Sequence, residues 1–378
     1  MLKTKVVFLF LIITFSGCTP KLQQQKYITI GALLPLTGED SDAGLRAFNG
    51  LQLAKEEINE SGGLLGKKLD VVVLNDRGDE EYIVQQYKAL LKRGVAAIIG
   101  SSYSDPTMAL ARASETDGIP VISPTASNPE VTIGRRNVFR AIFTDDYQAE
   151  VMAHFAYNSL GVQTALVLSN ESIGSYKRTA EAFAESFKSW GGLVIAFEKY
   201  LGGDNFTDIL GKYSANPPDI IFCPENYVPA AKLVNAAFQT GFNNTYILGT
   251  DAWDGILVYV HHKDALKNVY YSAPFSFDDH DKDVTLFVNN YFGTFSQMPL
   301  SDSATAYTCI YILSEAIKKT GTTNWDDIIT SIKTNEFNLI TGRIKFDENN
   351  NPRTNAYVIQ VEGGVYSTFE KISLQRGQ

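Results

Sequence analysis

Short β-branched runs alternate with longer stretches of helical period along most of the chain. Residues 28–34 (ITIGALL) predict a strand, and residues 42–60 predict a helix in which Leu45, Phe48, Leu51, Leu53, Ala54 and Ile58 recur near the helical period. A strand at 69–74 and a helix at 79–93 follow. Residues 95–99 (VAAII) are almost all apolar, as expected for a central parallel strand covered on both faces. A helix at 105–117 and a strand at 119–122 end this series. The rhythm then restarts: helix 146–159, strand 164–168, helix 175–189, strands 193–197 and 219–222, helix 228–240 and strand 246–248. Two successive strand–helix series predict an α/β chain with two doubly wound parallel-sheet lobes. Helices at 282–296, 303–319 and 325–334 come next. Strands at 356–361 and 365–369 flank Gly363-Gly364, a hairpin signal.

One segment breaks this pattern. Lys3 and Lys5 precede an apolar run at 6–15, and Ser16-Gly17-Cys18 follows it. A charged start, an apolar core too short to span a bilayer and small residues before a Cys predict a signal peptide over 1–17. Phe15-Ser16-Gly17-Cys18 also resembles the bacterial lipobox, with Phe where Leu is commonest. That resemblance implies cleavage before Cys18 and lipid attachment to it. Residues 18–26 then read as a solvated tether.

Composition narrows the function. The 378 residues suit two domains. Lys and Arg total 33 against 42 Asp and Glu, a net charge of −9 with no basic run, which disfavours nucleic acid as a partner. Three Cys and four His leave little for a disulfide framework or a metal site, and no cofactor is expected. Cys223 and Cys309 both stand in apolar runs and read as buried free thiols; a disulfide between them stays open. The adjacent His261-His262 reads as a surface turn. Residues 278–281 (DDHD) read as a solvated loop, because they lack the Gly and terminal Glu of a calcium loop. There is no G-x-G-x-x-G after a strand, no Walker motif, no G-x-S-x-G and no H-E-x-x-H, so an enzyme has no catalytic constellation to use.

An ordered set of segments resembles a known family. It comprises residues 30–38 (IGALLPLTG), Gly44, Asn49-Gly50, Ala54, Ile58-Asn59, Gly62-Gly63, residues 66–69 (GKKL), residues 95–100 with Ser104, residues 119–124 (IPVISP) and residues 342–347 (GRIKFD). Together they resemble the type I periplasmic binding proteins, specifically the Leu/Ile/Val-binding receptors of ABC transporters, across residues 28–361. The resemblance implies a clamp whose lobes are joined by a three-segment hinge. Lobe 1 is expected at 27–143 and 274–344, and lobe 2 at 144–273 and 345–378.

In a doubly wound sheet, ligands sit beyond the carboxyl ends of the strands. Residues 100–106 (GSSYSDP) leave such a strand and enter a helix, where Ser102, Tyr103 and Ser104 stand beside exposed N–H groups suited to a carboxylate. The family counterpart of Ser104 binds the ligand carboxylate, and Ser104 equally suits an N-cap. By the same resemblance Thr125 offers backbone groups and Ser127 a hydroxyl, with Ala126 between them. Asp251 falls where the family carries the acid that pairs with an α-ammonium, or it caps a helix. Tyr227, and more weakly Asn226 and Glu225, mark another strand end of lobe 2. Tyr103 and Trp253 are candidates to narrow the pocket or stack on a flat ligand. Ala43 and Ile173-Gly174 depart from family aromatics, with Tyr176 available to fill the second gap, so branched-chain specificity does not follow. The expected protein is a membrane-anchored, extracytoplasmic receptor that delivers an amino-acid-like ligand to an ABC permease without catalysis. A sensor of the same fold is the alternative, and a secreted hydrolase a remote one.

Overall fold

The computed structural model describes residues 26–38 and 41–374, so the expected signal peptide and Cys18 lie outside the described residues. The first sheet contains β1 (Tyr27–Leu34), β2 (Lys68–Asn75), β3 (Ile98–Gly100), β4 (Val121–Ser123) and β5 (Val138–Arg140), in the order β2-β1-β3-β4-β5. All its neighbours are parallel. Its central strands are mostly apolar because both faces are covered: Ile30, Ala32 and Leu34 of β1 enter one core and Leu33 the other. Helix α1 (Ser41–Glu60) packs on the first face, and α2 (Glu80–Leu91) and α3 (Ser104–Asp117) on the second.

The second sheet contains β6 (Thr164–Asn170), β7 (Leu193–Tyr200), β8 (Ile220–Phe222), β9 (Tyr246–Gly249), β10 (Val269–Ala273), β14 (Ala356–Glu362) and β15 (Val365–Ile372). Their order is β15-β14-β10-β9-β8-β6-β7. Five strands run parallel, while the terminal hairpin adds β14 and β15 antiparallel at one edge. Helices α4 (Asp145–His154) and α5 (Gly174–Trp190) cover one face of this sheet. Helices α6 (Phe206–Gly211) and α7 (Tyr227–Gln239) cover the other.

Helices α8 (Lys282–Phe295), α9 (Ser301–Thr320) and α10 (Trp325–Thr334) return to the first lobe. A small sheet of β11 (Glu336–Leu339), β12 (Gly342–Phe346) and β13 (Pro352–Arg353) follows them. The chain passes between lobes three times. Ala141 packs in the first lobe and Ile142 in the second; Ala273 packs in the second and Phe275 in the first. The third passage lies between β13 and β14. The boundary expected at 344/345 falls inside β12, whose Ile344 and Phe346 both pack in the first lobe.

Two details place the site. Helix α1 crosses α9 at Gly50, where an added Cβ would lie 2.1 Å from the Ser303 carbonyl oxygen, so only glycine permits the approach. Residues 278–281 also do more than a solvated loop: Asp278 accepts from the Thr368 N–H at 2.9 Å, and Asp279 accepts from Lys371 Nζ at 3.0 Å. These bonds tie the second passage to β15. Cys223 and Cys309 are buried free thiols in different lobes, so no disulfide joins them.

Candidate functional site

The loop after β3 enters α3 with Ser104 as the first helical residue and Tyr103 at the cap, which makes no side-chain capping bond. The N-cap reading therefore moves one residue back, and the Ser104 hydroxyl does something else: its Oγ accepts the Asn128 N–H at 3.3 Å. Thr125 Oγ1 donates to the Ser102 carbonyl at 2.7 Å. These bonds lock the loops leaving β3 and β4 against each other. Ser102 Oγ is buried with no partner among the described residues.

Within the second loop, half-buried Thr125 and Ser127 alternate with buried Ala126 and Asn128. The Ala126 N–H is occupied by Ser123 Oγ at 3.0 Å, and its carbonyl accepts from Arg140 Nη1 at 2.8 Å. Ala126 is thus a supporting residue. Arg140 is fully buried at the end of β5 and also donates to the Asn128 carbonyl at 2.7 Å. Burial lowers its pKa to about 10 against the opposing pull of Asp145 and Asp347. A cation closing an apolar strand was the sequence signal for this anchor, and sequence reading passed over it.

A chain of hydrogen bonds leads from this loop into the second lobe. The Asp145 N–H donates to the Ser127 carbonyl at 3.0 Å, and Gln148 Nε2 donates to Asp145 Oδ1 at 3.0 Å. Gln148 Oε1 accepts the Asp251 N–H at 3.1 Å and Ser272 Oγ at 3.0 Å. Asp251 stands just beyond β9 and begins a short 3₁₀ turn. Burial, with like charge from Asp145, Asp302 and Asp254, pushes its carboxyl up to about 8, although a hydrogen bond from Gln148 opposes the shift. A carboxyl so placed gains most from a cationic partner.

The same loop makes a second junction. Asp254 Oδ2 accepts the Ser301 N–H at the start of α9 (2.7 Å), and Oδ1 accepts from the Tyr271 hydroxyl (2.9 Å). Beside it, Arg46 on α1 donates Nε (2.9 Å) and Nη2 (2.6 Å) to Asp302 Oδ2. Burial opposes the Arg46 charge, but Asp302 and Asp254 overcome it and hold the guanidinium protonated. At the other side, Arg178 on α5 reaches Asn128 Oδ1 at 2.7 Å and lies 3.9 Å from Asp145.

The remaining candidates fall into place as follows. Trp253 is fully buried in the second lobe, its ring against Gly249, so it supports the Asp251 turn and offers no face for stacking. Asn226 caps α7, its Oδ1 accepting the Tyr227 N–H at 2.6 Å. Tyr227 is buried with its ring 5.4 Å from that of Tyr259. Glu225 is buried under Tyr200 and accepts from Asn170 Nδ2 at 2.7 Å, a structural role. Tyr176 is half-buried in the first turn of α5. Arg46, Asp302, Asp145, Gln148, Asp254 and Arg178 were not foreseen. Asp145 and Asp302 read locally as first-turn helix acids, and nothing local separates them from others of that kind.

A two-lobe α/β clamp with polar groups from both lobes meeting at the strand ends matches one family. The family model described as periplasmic binding protein matches residues 27–365. The chain belongs to the periplasmic binding protein family. The Leu/Ile/Val-binding protein BraC3 of Rhizobium johnstonii is 28% identical over 256 residues, covering 64% of this chain and 69% of that protein. Among solved structures, a leucine binding protein from Thermotoga maritima matches with a TM-score of 0.82 and 28% identity, covering 92% of this chain and 99% of that one. A branched-chain amino acid transporter substrate binding protein from Streptococcus pneumoniae, in complex with isoleucine, matches with a TM-score of 0.83 and 26% identity, covering 92% of this chain and 99% of that one. These relatives are binding proteins, one of them named as a transporter substrate-binding protein, not enzymes, and the family is extracytoplasmic. Among the described residues no helix is long and apolar enough to cross a membrane, and no cluster is arranged to hold a metal ion.

Proposed function

We propose that this periplasmic binding protein captures an amino-acid-like ligand between its lobes, delivers it to an ABC permease, and is held at the membrane through lipid on Cys18. The observation that carries the ligand class is the pairing of two chemistries across one cleft. The first lobe offers the α3 N-terminus with the Ser104 hydroxyl and the backbone of the loop carrying Thr125 and Ser127, which suit a carboxylate. The second offers Asp251, a carboxyl lifted to about 8 by burial and like charge, which suits an α-ammonium. The relatives named above as leucine-binding or isoleucine-bound support the same class.

Thermal denaturation against a panel of the standard amino acids tests this reading. At least one should raise the melting temperature in a concentration-dependent way. No shift across the panel, with no amino acid released from the freshly purified, denatured protein by mass spectrometry, overturns it. Replacing Cys18 by Ala should move the full chain from the membrane to the soluble fraction.

A further inference from the structure

We infer that the Arg46–Asp302 pair is the side-chain subsite of the cleft, built for a ligand bearing a neutral carboxamide or ureido group. The inference rests on the amino-acid reading above and specifies which substituent that amino acid carries.

The pair has an unusual geometry for arginine and a carboxylate. A bidentate fork would use both oxygens of Asp302. Instead Nε and Nη2 of Arg46 both donate to Oδ2, at 2.9 and 2.6 Å. That leaves Arg46 Nη1, a donor, and Asp302 Oδ1, an acceptor, with no hydrogen-bond partner among the described residues. Neither atom is among the buried unpartnered ones, so both reach open space. The side chains themselves are mostly sheltered, at 18% and 14% exposure. A free donor and a free acceptor therefore stand on one half-buried ion pair.

Its position is interlobe. Nη1 lies 3.9 Å from where a Cβ on Gly255 would stand, which puts the guanidinium against the second-lobe loop that carries Asp251 and Asp254. Asp302 and Asp254 are both near enough to Asp251 to raise its pKa, so the pair and the proposed ammonium partner belong to one polar cluster. Asp254 itself is already engaged, by the Ser301 N–H and the Tyr271 hydroxyl.

Chemistry selects among substituents. An aliphatic side chain would cover Nη1 and Oδ1 without bonding either, and stripping water from unbonded polar groups is unfavourable. A carboxylate would meet Asp302 and Asp254, and a cation would meet Arg46. A carboxamide or urea is neutral and presents a carbonyl to Nη1 and an N–H to Oδ1 together. Sites built to bond a polar substituent reject the analogue lacking it far more strongly than apolar pockets reject a methylene.

The test compares near-isosteric pairs by titration calorimetry on the full chain: asparagine against leucine, and glutamine against methionine, with citrulline, glutamate and lysine alongside. An amide or ureido amino acid should bind about 30-fold or more tighter than its apolar counterpart. In the double variant Arg46→Met/Asp302→Leu, which replaces the whole pair with apolar groups and so avoids stranding one charge, that preference should fall to within about threefold. Leucine, glutamate or lysine binding as tightly as the amides overturns the subsite while leaving the amino-acid reading intact. Wild-type preference surviving in a folded double variant overturns it as well. No binding by any of the seven, with binding elsewhere in the standard panel, overturns it too; silence of the whole panel defeats the earlier reading instead.

Discussion

At the scale of single residues, Asp251 has the most consequential environment. Its carboxyl is lifted to about 8 by burial, with Asp145, Asp302 and Asp254 adding like charge and Gln148 opposing. Between about pH 4, where an unfolded aspartate titrates, and about pH 8, the folded ligand-free protein holds a proton here that the unfolded chain has lost. The contribution of Asp251 to stability is thus complete below pH 4 and is lost as pH rises through that window. Asp251→Asn should flatten this part of the pH–stability curve in denaturant titrations at several pH values. Ligand binding inverts the sign, because an α-ammonium favours the ionised carboxylate. Affinity should rise from pH 6 toward 8, with proton release seen as buffer-dependent calorimetric enthalpy near pH 7. Asp251→Ala should weaken a zwitterionic ligand at least about tenfold, the order of one charge-assisted bond. An unchanged Kd would remove the ammonium assignment.

At the scale of elements, the α1–α9 crossing sets the geometry on which the Arg46–Asp302 pair depends. Gly50 sits where an added Cβ meets the Ser303 carbonyl oxygen at 2.1 Å, and backbone at that distance cannot yield without moving a helix. Gly50→Ala should therefore cost about 3 kcal/mol in chemical denaturation, the upper range for overpacking. It should also weaken ligand more than its stability loss explains, since Arg46 lies one turn away on the same helix. A variant as stable and tight-binding as the wild type would show that the helices can separate freely. Elements were read from sequence unevenly. Long helices and the all-apolar strands were recognisable because periodicity and burial on both faces leave a strong local trace. The missing strands β5, β10, β11, β12 and β13 are short or paired with distant partners, and β5 ends in a buried arginine whose role is visible only beside Ala126 and Asn128.

At the scale of the whole molecule, function depends on how the lobes meet. Arg178 on α5 of the second lobe bonds Asn128 in the first-lobe loop after β4, a contact made when the lobes are together. Arg178→Ala should favour open forms: a larger radius of gyration by X-ray scattering without ligand, and affinity reduced about fivefold, for roughly 1 kcal/mol from a charged contact that solvent partly screens. A scattering profile and affinity identical to wild type would show that this bond does not bias closure. The long helices and central strands, the two-lobe class, the loops carrying Ser104, Thr125 and Ser127, and the placement of Asp251 at a strand end were legible in the amino-acid pattern. They are consequences of local periodicity and of where a parallel sheet exposes its loops. The withdrawal of Trp253 and Ala126 into supporting roles, and the assembly of Arg46, Asp302, Asp254, Asp145 and Gln148, were not. Arg46 and Asp302 are far apart in the chain, and an ion pair between them follows from helix packing that no local propensity encodes.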